Sequence, residues 1–282
     1  FLLDGVRRTS TTVVTLAQYL PFRFGHIGTD QGLSNQLVTC VLRDQTGYLW
    51  VGTENGLNRY DGYRFEHFLS VPDDPASLRD SAISTLFEDR AGHLWVGTKA
   101  GGLHLFDGRT ERFAAFDADS AGRPRVSNNR IYRVFEDAAG SIWIGTAGGL
   151  DKLTWDGSDT SSVQIVSFRN DPADPESLSH NRVTSIAQDS AGTVWVGTRA
   201  GLNRLVSESP ARFARYLYDA ASPAGLPDDE VYSLLVDSAD VLWIGTWGGG
   251  GLARLSALER QKPAPAFERL GFDAAAGTHK AL

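Results

Sequence analysis

The sequence predicts an all-β propeller of four-stranded antiparallel blades, with five repeats present. Three observations carry that expectation. The stretch Trp50-Val51-Gly52-Thr53 returns as Trp95-Val96-Gly97-Thr98, Trp143-Ile144-Gly145-Thr146, Trp195-Val196-Gly197-Thr198 and Trp243-Ile244-Gly245-Thr246. The Trp positions are separated by 45, 48, 52 and 48 residues, a period in the range of four-stranded propeller blades. The 282 residues include 30 glycines and 10% aromatic residues, which suits many short strands joined by tight turns.

Each copy lies inside a longer shared pattern. An apolar run ends in Asp (Asp44, Asp89, Asp137, Asp189, Asp237), and a Gly follows three residues later in four of the five units, with Asp240 standing in the fifth. Trp comes next, and a Gly-Leu pair then opens another short run.

The unit from Ser81 to Phe116 shows how strands follow from the pattern. Ile83 to Glu88 is apolar and rich in β-formers, Asp89 to Gly92 is a turn, and His93 to Thr98 alternates as a second strand. A third strand from Gly102 to Phe106, a hairpin signal at Asp107-Gly108 and a fourth strand from Arg112 to Phe116 complete an antiparallel meander.

Counted back from the closing Asp, the first strands share two positions. Val38, Ile83, Ile131, Val183 and Val231 are apolar and β-branched, as a packed inner strand requires. Cys40, Thr85, Arg133, Ser185 and Ser233 are mostly small or polar, and simple alternation turns them toward a narrow wet channel.

The ends follow a different logic. Residues 1–20 carry no repeat feature and are read as an irregular segment; the propeller occupies 21–282. Pro21-Phe22-Arg23-Phe24 has the form of an outermost strand belonging to some other blade. The fifth unit supplies its own fourth strand, Ala266 to Leu270. Two strands for one place imply further blades beyond Leu282, so the chain is read as a truncated propeller; the absence of Met fits a start downstream of the true one.

A formal charge of -7 and a pI near 5.4 argue against a nucleic-acid partner, because a phosphate backbone calls for a basic face. No run approaches the 18 or so apolar residues that cross a bilayer. A lone Cys40 excludes an internal disulfide.

The pattern Asp-x-x-Gly-x-(Leu/Ile/Val)-Trp-(Val/Ile)-Gly-Thr, followed by Gly-Leu-Asn-Arg at Gly56 to Arg59 and Gly201 to Arg204, resembles the two-component regulator propeller repeat from about Phe22 to Leu270. That resemblance implies a periplasmic, ligand-sensing part of a membrane-anchored bacterial receptor. In the family, typically seven blades precede an immunoglobulin-like module, a membrane span and a histidine kinase or diguanylate cyclase that feeds a phosphorelay or a cyclic dinucleotide signal. It also implies no catalysis in this segment, and as partners the remaining blades, the downstream signalling domains and a small-molecule or oligosaccharide ligand. A homodimer is a further expected state. Two other classes stand beside it: a propeller lyase, which needs a catalytic His with acidic partners on one rim, and a protein-interaction scaffold.

The five repeated Trp residues recur at one position and are expected to pack between sheets rather than to stack sugars. The five Asp residues are expected to cap turns rather than hold calcium, which needs converging oxygens. The six histidines show no metal spacing, and neither a catalytic constellation nor a cofactor motif emerges. The best site is geometric. In a four-stranded meander the turn after the second strand and the link from the fourth strand to the next blade share one end. That rim collects Glu54, Asn55, Lys99, Arg199 and Trp247 from the first kind of turn, and Asn35, Arg79, Asn129, His180, Asn181 and Asp229 from the second. Trp247 lies outside the repeated set and is the expected stacking residue.

Overall fold

The computed structural model describes residues 25–118, 124–157, 160–273 and 278–281. The irregular segment expected at 1–20 and the strand expected at Pro21 to Phe24 lie outside them.

Five antiparallel sheets follow one another along the chain. The first comprises β1 (Val38–Arg43), β2 (Leu49–Thr53), β3 (Gly56–Tyr60) and β4 (Phe65–Phe68). The second comprises β5 (Ile83–Glu88), β6 (Leu94–Thr98), β7 (Leu103–Asp107) and β8 (Arg112–Phe116). The third comprises β9 (Ile131–Glu136), β10 (Ile142–Thr146), β11 (Leu150–Thr154) and β12 (Gln164–Phe168). The fourth comprises β13 (Val183–Gln188), β14 (Val194–Thr198), β15 (Gly201–Glu208) and β16 (Ala211–Tyr216). The fifth comprises β17 (Val231–Val236), β18 (Leu242–Thr246), β19 (Leu252–Leu255), β20 (Glu268–Asp273) and β21 (Thr278–Ala281). The fourth strand of that sheet is the one expected from the repeat; β21, paired beyond it, is an addition the repeat does not foresee.

The core lies between sheets. Trp50 packs with Ile83, Val96 and Phe106 of the second sheet, Trp95 with Ile131, Ile142 and Leu153 of the third. Trp143 packs with Val183, Val194 and Phe213 of the fourth, and Trp195 with Val231, Leu242 and Leu255 of the fifth. Each of these four indoles is buried, and burying a side chain of that size is a leading stabilising term. Trp243, with no described sheet packed beyond it, is only partly buried.

The turn Asp fixes each indole. Its Oδ2 accepts the indole N–H of the Trp six residues on, at 2.7 Å (Asp44), 2.9 Å (Asp89), 2.8 Å (Asp137), 2.9 Å (Asp189) and 2.7 Å (Asp237). Its Oδ1 accepts turn backbone N–H groups, as at His93 and Ser141, both 2.9 Å. The shared Asp and Trp are therefore one structural device.

One sequence expectation is corrected. Cys40, Thr85, Arg133, Ser185 and Ser233 do not line a channel as a set; each pairs across the strands with the Gly of the Trp-x-Gly-Thr stretch, and Thr85 and Ser185 are buried. A bulge one residue earlier, at Thr39, Ser84, Tyr132, Thr184 and Tyr232, resets the alternation. The Gly of each internal pair is small because the next sheet arrives there. A Cβ on Gly52 would lie 2.7 Å from Ile83, and one on Gly97 2.8 Å from Ile131.

Candidate ligand-binding rim

Every rim turn is built by the same bonds. The Thr that closes the second strand donates from Oγ1 to the carbonyl of the Gly opening the third: Thr53 to Gly56 at 2.9 Å, and Thr98 to Gly102, Thr146 to Gly149, Thr198 to Gly201 and Thr246 to Gly251 at 3.0 Å. This bond holds the turn tight.

The approach to each first strand is capped, and in four of the five sheets it is capped twice. Asn35, Asp80, Asn128, His180 and Asp228 each accept the backbone N–H two residues on, at 2.8, 3.1, 2.9, 2.9 and 2.9 Å. His180 does so through Nδ1, so its neutral form is required, and burial with Arg199 and Arg182 nearby pushes its pKa down. The next residue holds the incoming loop: Ser81, Asn129, Asn181 and Asp229 accept from Ser70, Ala118, Asn170 and Tyr218 at 3.0, 2.6, 2.7 and 2.6 Å.

A buried side chain on the third strand anchors the same loop. Asn58, His104, Asp151 and Asn203 accept the backbone N–H of Ser34, Arg79, Ser127 and Ser179 at 2.9, 3.0, 2.7 and 2.9 Å. In the fifth sheet Ala253 takes that place, and the loop residue is Pro227, which has no N–H to satisfy. Acceptor and donor are lost together.

The eleven rim residues expected from sequence thus divide. Asn35, Asn129, His180, Asn181 and Asp229 use their side chains to shape loops. Arg79 and Asn55 present exposed side chains, while their backbone N–H groups bond to His104 and Thr53. Lys99 pairs with Glu54 of the sheet before it. Arg199 faces Glu230 of the sheet after it at 3.8 Å. Trp247 is 61% exposed and lies against Tyr232, itself 57% exposed, with ring centroids 5.5 Å apart.

Sequence reasoning missed Tyr232 and Glu230. The available signal for Tyr232 was its place at the bulge, where Tyr132 also sits and packs on the Arg182 guanidinium at 4.9 Å. It also passed over the seventh Trp. Trp155 lies at the opposite end, against His93 at 4.8 Å, beside a cleft of about 500 Å³ bordered by the β7–β8 hairpin. Among the described residues no group of three or more His, Cys, Asp or Glu is arranged to hold a metal.

Comparison with known proteins places this geometry. A family model described as "Two component regulator propeller" matches residues 32–55, 77–100, 125–148, 177–200 and 225–248. The Histidine kinase P4 of Formosa agariphila is 39% identical over 62 residues, which is 22% of this chain and 4% of the kinase. The extracellular domain of what is named a hybrid two component system from B. thetaiotaomicron superposes with a TM-score of 0.54 at 22% identity, over 89% of this chain and 37% of that one. PorZ of Porphyromonas gingivalis superposes with a TM-score of 0.59 at 18% identity, over 78% of this chain and 32% of that one. A virginiamycin B lyase from Staphylococcus aureus superposes with a TM-score of 0.58 at 13% identity, over 84% and 70%. The chain therefore spans a small part of the kinase and 37% of that extracellular domain, and these likenesses establish a shared propeller fold. With its five matches falling on five successive sheets, the chain is an array of two component regulator propeller repeats.

Proposed function

We propose that this chain is a ligand-sensing, non-catalytic module in the extracytoplasmic part of a bacterial two-component receptor, whose output is a histidine kinase or diguanylate cyclase elsewhere in the same polypeptide. The match of all five repeats to the two component regulator propeller model supports this reading most strongly. The extracellular placement of the B. thetaiotaomicron domain with the same fold supports the location.

On this reading a small molecule or oligosaccharide docks at the rim, where Trp247 and Tyr232 offer an exposed aromatic face and the Glu54–Lys99 and Arg199–Glu230 pairs offer charge across two sheet junctions. Docking shifts the population of sheet or propeller packings, and the receptor reads that shift.

The test is a thermal-shift screen of oligosaccharides and other small molecules, with product analysis of each hit. The expected result is a compound that raises Tm, is recovered unchanged, and loses its effect in Trp247→Ala. Conversion of the compound would favour a lyase-type enzyme. Self-association that raises Tm where no compound does would favour an interaction scaffold.

A further inference from the structure

We propose that the cleft of about 500 Å³ beside Trp155, at the end of the molecule away from the rim, is a second binding site, and that it takes a small phenol, a flat apolar ring carrying one hydroxyl. The proposal is independent of what the rim binds. It stands on three departures from the repeat that meet at the junction of the second and third sheets.

The first departure is the residue paired with the repeated Trp on the third strand. It is a base in four sheets, Arg59, Lys152, Arg204 and Arg254, and Leu105 in the second. Three of these bases close the outer part of a junction. Arg59 lies over Trp50 and pairs with Glu111 of the second sheet, and Lys152 lies over Trp143 and pairs with Glu208 of the fourth. Arg204 donates to the Arg260 carbonyl at 3.2 Å. Leu105 has no charge or donor with which to do the same.

The second departure is His93, where the other sheets carry Tyr48, Ser141, Thr193 and Val241. The third is Trp155, three residues past Lys152, where the same count gives Gly62, Gly108, Ser207 and Ala257. Trp155 crosses the junction: its ring lies 4.8 Å from His93 and 6.2 Å, edge-on, from Trp95. His93, Leu105 and Trp155 all line the cleft, together with Phe106 and Phe113.

Compensatory packing would explain Leu105 and Trp155 if they filled the space a base leaves. That space stays open, at a size that holds small ligands, and a polar atom beside it is left over. His93 Nδ1 lies 2.9 Å from Asp89 Oδ2, so that nitrogen carries the hydrogen, and in the neutral ring Nε2 is an acceptor. Among the described residues nothing bonds to Nε2. The other polar side chains of the cleft are engaged. Asp107 accepts the Arg109 N–H at 2.9 Å and the Thr110 hydroxyl at 2.6 Å, and Arg112 pairs with Asp74. Aromatic walls suit a flat ring, and one open acceptor suits one hydroxyl donor. A sugar would set several hydroxyls against Leu105, Phe106 and Phe113 with a single partner among them, and a hydrocarbon ring would cover Nε2 without a donor; both cost free energy that a phenol does not.

The test titrates p-cresol, toluene and methyl glucoside into the protein by saturation-transfer NMR. p-Cresol should bind at about millimolar affinity or tighter, and roughly three- to tenfold more tightly than toluene, the worth of one hydrogen bond. His93→Phe should abolish that preference while toluene still binds, which shows that the cleft survives. Leu105→Arg, restoring the base of the other sheets, should abolish binding of both rings, with Tm confirming that the variant is folded. No p-cresol binding up to about 10 mM would overturn the proposal, as would equal affinity for the two rings, tighter binding of methyl glucoside, or binding that persists in Leu105→Arg. Binding lost in Trp247→Ala and kept in Leu105→Arg would assign the phenol to the rim and overturn it as well.

Discussion

The buried side chain on the third strand makes a sharp test of how this fold is held. In two sheets it is Asn, and Asn58 and Asn203 both accept a loop N–H and donate through Nδ2 to the carbonyl of the residue paired with them, Val51 at 3.0 Å and Val196 at 3.2 Å. In the third sheet it is Asp151, fully buried, paired in the same register with Ile144. Burial raises its pKa, outweighing the bonds from Ser127 and Ser167 and the charge of Arg169, which pull the other way. A carboxylate there has no hydrogen to offer the Ile144 carbonyl.

Asp151→Asn should therefore stabilise the protein at pH 7. The added N–H···O=C bond contributes about 1 kcal/mol, and removal of a desolvated charge adds to it. For a chain of this size each kcal/mol moves Tm by about 2–4 °C, so a rise of roughly 2–6 °C is expected. The sign with pH is fixed by linkage. A raised folded pKa means that the wild-type carboxyl is at its most favourable when protonated, below the unfolded carboxylate range, and loses stability as pH rises through the folded value. The gain from Asn should shrink toward pH 4 and below. Calorimetric melts of wild type and variant from pH 3.5 to 8 measure it. A variant less stable at pH 7, or a gain unchanged by pH, would refute the reasoning.

His104, at the same position in the second sheet, carries the opposite sign. Burial pushes its pKa down to about 4, so its neutral form stabilises above the ordinary histidine range and that contribution is lost as pH falls through about 4. His104→Asn should remove about 3 kcal/mol of the stability change between pH 7 and 4, seen as a flatter Tm profile on the acid side. Arg260 is buried between Asp189, at 3.2 Å, and Asp240. Arg260→Met should cost about 3–5 kcal/mol, read from urea midpoints, because two carboxylates are left unpaired. In the fifth sheet Ala253→Asn alone should cost about 1–3 kcal/mol, since Pro227 offers no N–H. Adding Pro227→Ser should recover at least half of that loss in a double-mutant cycle.

Much of this architecture was legible because it repeats locally. Five returns of Trp-x-Gly-Thr fixed the period, and a fixed spacing of six residues from Asp to Trp exposed the turn device that the indole bonds then explain. What escaped depends on phase or on distant partners. Alternation counted from Val38 to Cys40 runs across the bulge at Thr39, so it aimed the small residues at a channel when they lie beside glycine. Asn129 and Asp229 read as free rim groups because the loop N–H each accepts is eleven residues away, and no local pattern announces that bond. Asp240 looked like an isolated departure from Gly. In place it takes the left-handed backbone, φ 59°, and the Ser190 N–H bond holds its carboxyl below the usual range. From the turn position it supplies the acceptor that Val236, standing where the other sheets carry Glu88, Glu136 or Gln188, cannot.

These exchanges bear on where specificity can reside. Rim side chains that shape loops cannot change without a matching change elsewhere, as the Ala253 and Pro227 pairing illustrates, so they are poor places for recognition to diversify. The groups left with freedom are those whose side-chain bonds do not hold a loop: Arg79 and Asn55, Glu54 with Lys99, Arg199 with Glu230, and Trp247 with Tyr232. Exposed ion pairs of this kind contribute roughly 0–1 kcal/mol, so a ligand can replace them at small cost to the fold. Both pairs bridge adjacent sheets. On the proposed reading, a ligand that takes over one partner therefore acts on a sheet junction directly, and the contact that recognises it is also the contact that transmits it.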